Sequence, residues 1–231
     1  MKASKQVVCN LCGKSTTRVI YTERGYNIVK CNCCGLVYVN PRLSDCEYVT
    51  GLELQYPDLV LNTLQKNNNN NNTLSNIKTQ FNKKKIKQKL WLKKRLDIVS
   101  KDLNAILTIT KKQGNLLDIG CAEGYFLKCA RDQGWNAFGL EPAKNHLPRK
   151  EWNLNVFNGF LEDAPFKENY FDVITLWDTL EHTPNPRKLL FQINRLLKKG
   201  GLLAIRVPNV DYLILKTILI STLFGKNAYL K

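Results

Sequence analysis

At 231 residues and 44% hydrophobic content the chain has room for one domain of ordinary size plus a small appendage, and enough apolar material for a buried core, which excludes a wholly disordered protein. Its formal charge of +16 is uneven: residues 1–110 hold 18 Lys/Arg against 7 Asp/Glu, and residues 111–231 hold 17 against 12. A basic front half suits an anionic partner or is a solvated surface that aids solubility, and the second reading is preferred because charge alone carries little specificity.

Six of the eight cysteines fall within residues 9–46 with no secretory signal before them, so a reducing, cytoplasmic compartment is expected. Cys9 and Cys12 form one C-x2-C pair and Cys31 and Cys34 a second, separated by eighteen residues. At that spacing two hairpin turns can present four thiolates tetrahedrally. Gly13 and Gly35, each directly after the second Cys of its pair, supply the permissive backbone such turns need. Cys9, Cys12, Cys31 and Cys34 are expected to hold a structural zinc, with Cys33 and Cys46 as spares. Iron would also suit four sulfurs, but zinc is the commoner occupant of a closed site. With every position filled by protein no water is activated, so the ion would contribute folding free energy to a head, residues 1–42, too small to make its own core.

Residues 43–80 read as a polar linker, in which the six Asn at 67–72 are expected to be disordered. A third unit, residues 81–231, starts with a helix. Leu92, Leu96, Val99, Leu103 and Ile106 recur at helical steps and draw one apolar stripe, while Lys83, Lys84, Lys85, Lys87, Lys89, Lys93, Lys94 and Arg95 crowd the same segment. These cations read as a solvated back rather than a ligand site.

From Gly114 short apolar runs alternate with helical patterns, which predicts a parallel sheet. Residues 116–126 give an apolar strand, a turn with glycines at 120 and 124, and the start of a helix closed by Gly134. Such a turn lets a ligand approach unpaired N–H groups at the helix N-terminus. A second strand, residues 136–140, ends in Glu141, 23 residues after Asp118. A carboxylate at that tip can accept both hydroxyls of a ribose. The full G-x-G-x-x-G is absent and no phosphate-gripping Lys follows, which disfavours a nicotinamide or nucleoside triphosphate. The apolar run at 212–224 is interrupted by Lys216 and short for a bilayer, so no transmembrane segment is expected.

The segments LLDIGCAEGYF, GLEP, FDVITLWDTLEHTPNP and LLKKGGLLAIRVPN occur in order between residues 114 and 210. In these the chain resembles the class I S-adenosylmethionine-dependent methyltransferases, and the head resembles the zinc-ribbon leader of some members, whose knuckles also run into a CGL and an aromatic. The resemblance implies that Asp118, Gly120, Cys121 and Gly124 line the methionine and ribose part of S-adenosylmethionine and that Glu141 holds the ribose hydroxyls. Leu161 and Glu162 would flank the adenine, with Phe160 standing where many relatives carry an acid. Trp177, at the end of the fourth strand, would border the cofactor or serve as a core aromatic.

Methyl transfer is an in-line displacement, so holding donor and acceptor in line can supply much of the rate. For a hydroxyl acceptor a base helps, and His182, just past the edge of strand four, is the candidate; its alternative role is to cap or pack the next helix, signalled by Asn185 and Pro186. Asp178 and Glu181 share this ambiguity, and His146, outside any motif, is expected on the surface. The leading expectation is a small-molecule acceptor, a sugar, quinone-like or other metabolite. The alternatives are RNA, for which the basic front half and head argue, and a zinc-ribbon interaction protein with an incomplete methyltransferase fold. The resemblance also implies a Rossmann-like sheet of order 3-2-1-4-5, all parallel, in which strand five (residues 202–207) forms an open edge because the family's last two strands are missing. A partner chain could cover that edge.

Overall fold

The computed structural model describes residues 4–23, 26–43 and 74–209. The Asn run at 67–72, Cys46 and the tail from residue 210 lie outside the described residues.

The head contains β1 (Ser4–Lys5), β2 (Thr17–Glu23), β3 (Tyr26–Cys31), β4 (Val37–Val39) and β5 (Arg42–Leu43). Strands β2, β3 and β4 form one antiparallel sheet, and β1 pairs antiparallel with β5. Little here is packed. Among the described head residues only Cys9, Val29 and Cys31 are buried, while Val19, Ile20, Tyr21, Val37 and Val39 are exposed.

Helix α1 (Leu74–Thr110) leads into β6 (Asn115–Ile119), α2 (Tyr125–Asp132), β7 (Asn136–Leu140), β8 (Asn155–Phe157), β9 (Phe171–Trp177), α3 (Pro186–Leu196) and β10 (Leu197–Arg206). The five strands β6 to β10 make one parallel sheet in the order β10-β9-β6-β7-β8. This is the expected order 3-2-1-4-5 and a Rossmann-like fold. Side-chain alternation along the strands feeds two cores. Leu116, Ala137 and Val173 pack with α1 and α2 through Val99, Leu103, Phe126 and Leu127. Their neighbours Leu117, Phe138 and Ile174 turn to the other face, against Ile193 and Leu196 of α3.

Three expectations need correction. The apolar stripe of α1 is buried only at Val99, Leu103 and Ile106; Leu96 is 36% exposed and Leu92 half-buried, and among the described side chains of this 37-residue helix those in the sheet core come from its last turns, where Leu107 joins them. Strand five starts at Leu197 rather than 202. Leu197 pairs with Phe171 and Leu202 with Val173, and the extra residues between them bulge out through Gly200 at φ 77°. Asn185, not His182, caps α3, its side-chain oxygen accepting the Lys188 N–H at 3.0 Å, with Pro186 at the first helical position. Among the described residues β10 is hydrogen-bonded only to β9, and no helix is long and apolar enough to cross a membrane.

Candidate functional site

The strands' C-terminal ends open into a cavity of about 1280 Å³. Its floor is the turn between β6 and α2. Gly120 (φ 76°), Ala122 (φ 45°) and Gly124 (φ 75°) all sit in the left-handed region, which folds the chain back sharply before the helix begins. Gly120 N–H donates to the Leu140 carbonyl at 2.7 Å, tying the turn to the end of β7. A Cβ on Gly120 would press on the Thr179 side chain, its Cγ2 at 2.8 Å. Only glycine therefore serves at this position.

Glu141 follows β7 and is buried. Its Oε2 accepts the Ala122 N–H at 3.0 Å and its Oε1 accepts the Ala143 N–H at 2.9 Å. The carboxylate thus holds the turn in place, and Glu141 lines the cavity, with accepting capacity beyond these two bonds. Asp118, at the base of the turn, is buried and accepts the Thr175 hydroxyl at 2.7 Å. Burial pushes its carboxyl up to about 7, against the pull of the Thr175 hydrogen bond and with help from the nearby Glu141 charge.

This shift has a measurable consequence. With the folded-state value raised from 3.8 to about 7, the folded chain keeps a proton that the unfolded chain has lost, so this group's contribution to stability declines as pH rises from about 4 to about 7. Asp118→Asn keeps an acceptor for Thr175 and cannot ionise, so it should flatten that part of the Tm–pH curve. Identical slopes for the two proteins across this window would show that Asp118 is not the titrating group.

Of the residues expected to touch a ligand, Asp118, Gly120, Cys121, Glu141, Leu161, Glu162, Trp177 and His182 all line the cavity. Gly124 does not line it; a Cβ there would meet Pro148 (2.6 Å) and Leu154 (2.9 Å), so it faces the packed side of the turn. Cys121 is buried and burial pushes its thiol up. Trp177 is half-buried, its ring edge-on to Phe126 at 5.3 Å and beneath the Arg206 guanidinium at 5.2 Å. His182 is exposed in the turn Leu180–His182 at the rim.

His146, expected on the surface, is half-buried and lines the same cavity, in a single helical turn after β7 where its N–H donates to the Ala143 carbonyl at 3.0 Å. Sequence reasoning also missed an ion network: Arg206 bonds Asp178 at 2.9 Å and Asp102 of α1 at 3.1 Å. Burial raises the Asp102 carboxyl, and Arg206 opposes the rise. Nothing local marks this network, since Asp102 and Arg206 lie 104 residues apart.

In the head, the Sγ atoms of Cys9, Cys12, Cys31 and Cys34 all lie within 4.8 Å of one another, with Cys9–Cys34 at 3.4 Å and Cys12–Cys31 at 3.5 Å. Thiolates about 2.3 Å from a shared tetrahedral ion stand about 3.8 Å apart, so the set fits such an ion. The two turns repeat one hydrogen-bond pattern: Gly13 N–H to Cys9 O and Gly35 N–H to Cys31 O, with Cys9 N–H to Lys14 O and Cys31 N–H to Leu36 O. Gly13 and Gly35 share a φ of 74° and 78°. Cys33 is exposed and outside the set.

A parallel sheet of this order, with a glycine turn after its first strand and a carboxylate at the tip of its second, is a Rossmann-like nucleoside-binding arrangement. Within that class the chain belongs to the Methyltransferase domain family, which it matches over residues 91–230. It is 29% identical over 111 residues to a protein of Coxiella burnetii named ubiquinone biosynthesis O-methyltransferase, covering 45% of this chain and 47% of that one. It is 35% identical over 108 residues to an uncharacterized protein of Methanocaldococcus jannaschii, covering 47% of each. The chain thus spans about half the length of the curated relatives it matches. A solved Pyrococcus horikoshii structure superposes with a TM-score of 0.47 at 21% identity, covering 58% of this chain and 62% of that one.

Proposed function

We propose that the chain is an S-adenosylmethionine-dependent methyltransferase acting on a small-molecule acceptor, with a structural zinc in its N-terminal head. The observation that carries this reading is Glu141, a buried carboxylate that braces the 120–124 turn through two backbone N–H groups while facing the cavity. Bound there, the cofactor would supply a sulfonium methyl group. Glu141 would hold the ribose hydroxyls, Asp118, Gly120 and Cys121 would border the methionine side, and Leu161 and Glu162 the adenine. Trp177 would close one wall, while Gly124 would shape the turn from behind. His182 at the rim would take the proton from a hydroxyl acceptor.

A cavity of about 1280 Å³ exceeds what one drug-sized ligand fills and leaves room for a metabolite beside the cofactor. The relative named for ubiquinone biosynthesis supports a small acceptor. Calorimetric titration with S-adenosylmethionine, followed by a methyl-transfer screen over metabolite and RNA fractions, tests the reading. Absence of cofactor binding would refute it, and methyl transfer confined to RNA would replace the acceptor class.

Gly120→Ala is expected to weaken S-adenosylmethionine binding at least about tenfold. The added methyl is held left-handed at a cost of about 1 to 2 kcal/mol and must displace Thr179 or the turn itself. Calorimetry on the folded variant checks this, and wild-type affinity would mean that the turn does not shape the site.

A further inference from the structure

Trp177 and Arg206 are direct partners in the parallel pairing of β9 with β10. Paired residues of a sheet project to one face, and residues two apart along a strand share it. Both side chains therefore stand on the side of the sheet where Thr175 meets Asp118. The strand order puts β6 and its glycine turn between β9 and β7, so Trp177 bounds the cavity on the opposite side of that turn from Glu141.

No hydrogen bond orients the indole. Its Nε1 is buried and has no hydrogen-bond partner among the described residues. The ring is held by packing instead: Phe126 lies edge-on at 5.3 Å and the Arg206 guanidinium lies over the ring at 5.2 Å. An indole without its usual acceptor takes its orientation from the groups against its edge and face.

The guanidinium is itself fixed from two directions. Nε and Nη2 both donate to Asp178 Oδ2, at 3.2 and 2.9 Å, and Nη1 donates to Asp102 of α1 at 3.1 Å. Asp178 follows Trp177 directly and sits at φ 54°, in the left-handed region, with its N–H donating to the Arg206 carbonyl at 2.9 Å. Strain of this kind persists where the surroundings over-determine the backbone, and it clusters at functional sites. The three charged side chains keep contact with solvent, and such ion pairs add little to stability. What a planar fork gripped by two carboxylates does well is hold its plane against an aromatic ring. All four residues line the cavity.

We propose that Arg206 is a positioning residue for the cofactor: held between Asp178 and Asp102, it fixes the Trp177 indole as the wall that S-adenosylmethionine packs against. The inference rests on the methyltransferase reading. Arg206 acts through Trp177, so its effect on the ligand exists only while the indole is there.

The test is a double-mutant cycle on the full chain, with S-adenosylhomocysteine affinity measured by calorimetry. Arg206→Gln and Trp177→Leu should each weaken binding about tenfold, and the double variant should stay within about twofold of the weaker single variant. Arg206→Lys, which keeps the charge without the planar fork, should recover only part of the loss. Asp178→Asn leaves guanidinium and indole in place and guards against a folding artefact; it should weaken binding when Trp177 is present and leave it unchanged in the Trp177→Leu background. Losses that multiply to about a hundredfold, wild-type affinity in either single variant, or full recovery in Arg206→Lys overturns the proposal alone. Failure of S-adenosylhomocysteine to bind the wild type overturns the methyltransferase reading and the proposal with it.

Discussion

Cys9→Ser, and equally Cys34→Ser, is expected to release the proposed zinc and unfold the head while the five-stranded sheet stays folded. Of its described residues only Cys9, Val29 and Cys31 are buried, and two of those belong to the cysteine cluster proposed to hold the ion. Structural zinc contributes an apparent 10 to 16 kcal/mol, roughly, in small metal-folded units, far beyond what one buried valine supplies. Among the described residues the sheet's two cores contain no head residue, so their packing should not depend on the ion. Metal content by mass spectrometry and two melting transitions in the wild type, of which the variant keeps one, would bear this out. Stoichiometric metal in either variant would show that the ligands are misassigned, and loss of both transitions would show that head and sheet fold as one unit.

Glu141→Ala should weaken S-adenosylmethionine binding by about 1 to 3 kcal/mol, roughly 5- to 150-fold, because in the proposed site it leaves the ribose hydroxyls without their acceptor. The structure adds a second effect. The Ala122 and Ala143 N–H groups lose their partners as well, so the ligand-free protein should melt earlier. Glu141→Gln separates the two: it keeps one accepting oxygen, but its NH2 must face one of those N–H donors. Its affinity is therefore expected between wild type and alanine. Unchanged cofactor affinity in Glu141→Ala, measured by calorimetry, would remove this residue from the site.

These residues differ in how far the sequence reveals them. The cysteine turns are legible because C-x2-C-G is a local pattern, and their geometry repeats almost hydrogen bond for hydrogen bond. Glu141 is legible for a similar reason: a carboxylate directly after an apolar strand has one place to stand in a parallel sheet. Gly124 shows the limit of such reasoning, since two glycines four apart look alike in sequence but only Gly120 faces the cavity.

By itself the sequence determined the alternation of strands and helices, the two cysteine turns and the carboxylate after the second strand, because these follow from periodicity, turn chemistry and spacing within a few residues; the strand order and most of the residues along the strand ends came from the family resemblance that its motifs carry. Tertiary structure alone decided which charges meet. Thr175 reaches Asp118 across 57 residues, Arg206 joins Asp102 across 104, and Lys5 faces Arg42 across the β1–β5 pairing. It also brought His146 to the cavity and left Leu96 in solvent, against their local patterns. The physical reason is common to all of them: a side chain's periodicity gives the face it projects from, whereas its partner is set by which strand ends, loops and helix turns pack together, and no short-range pattern encodes that.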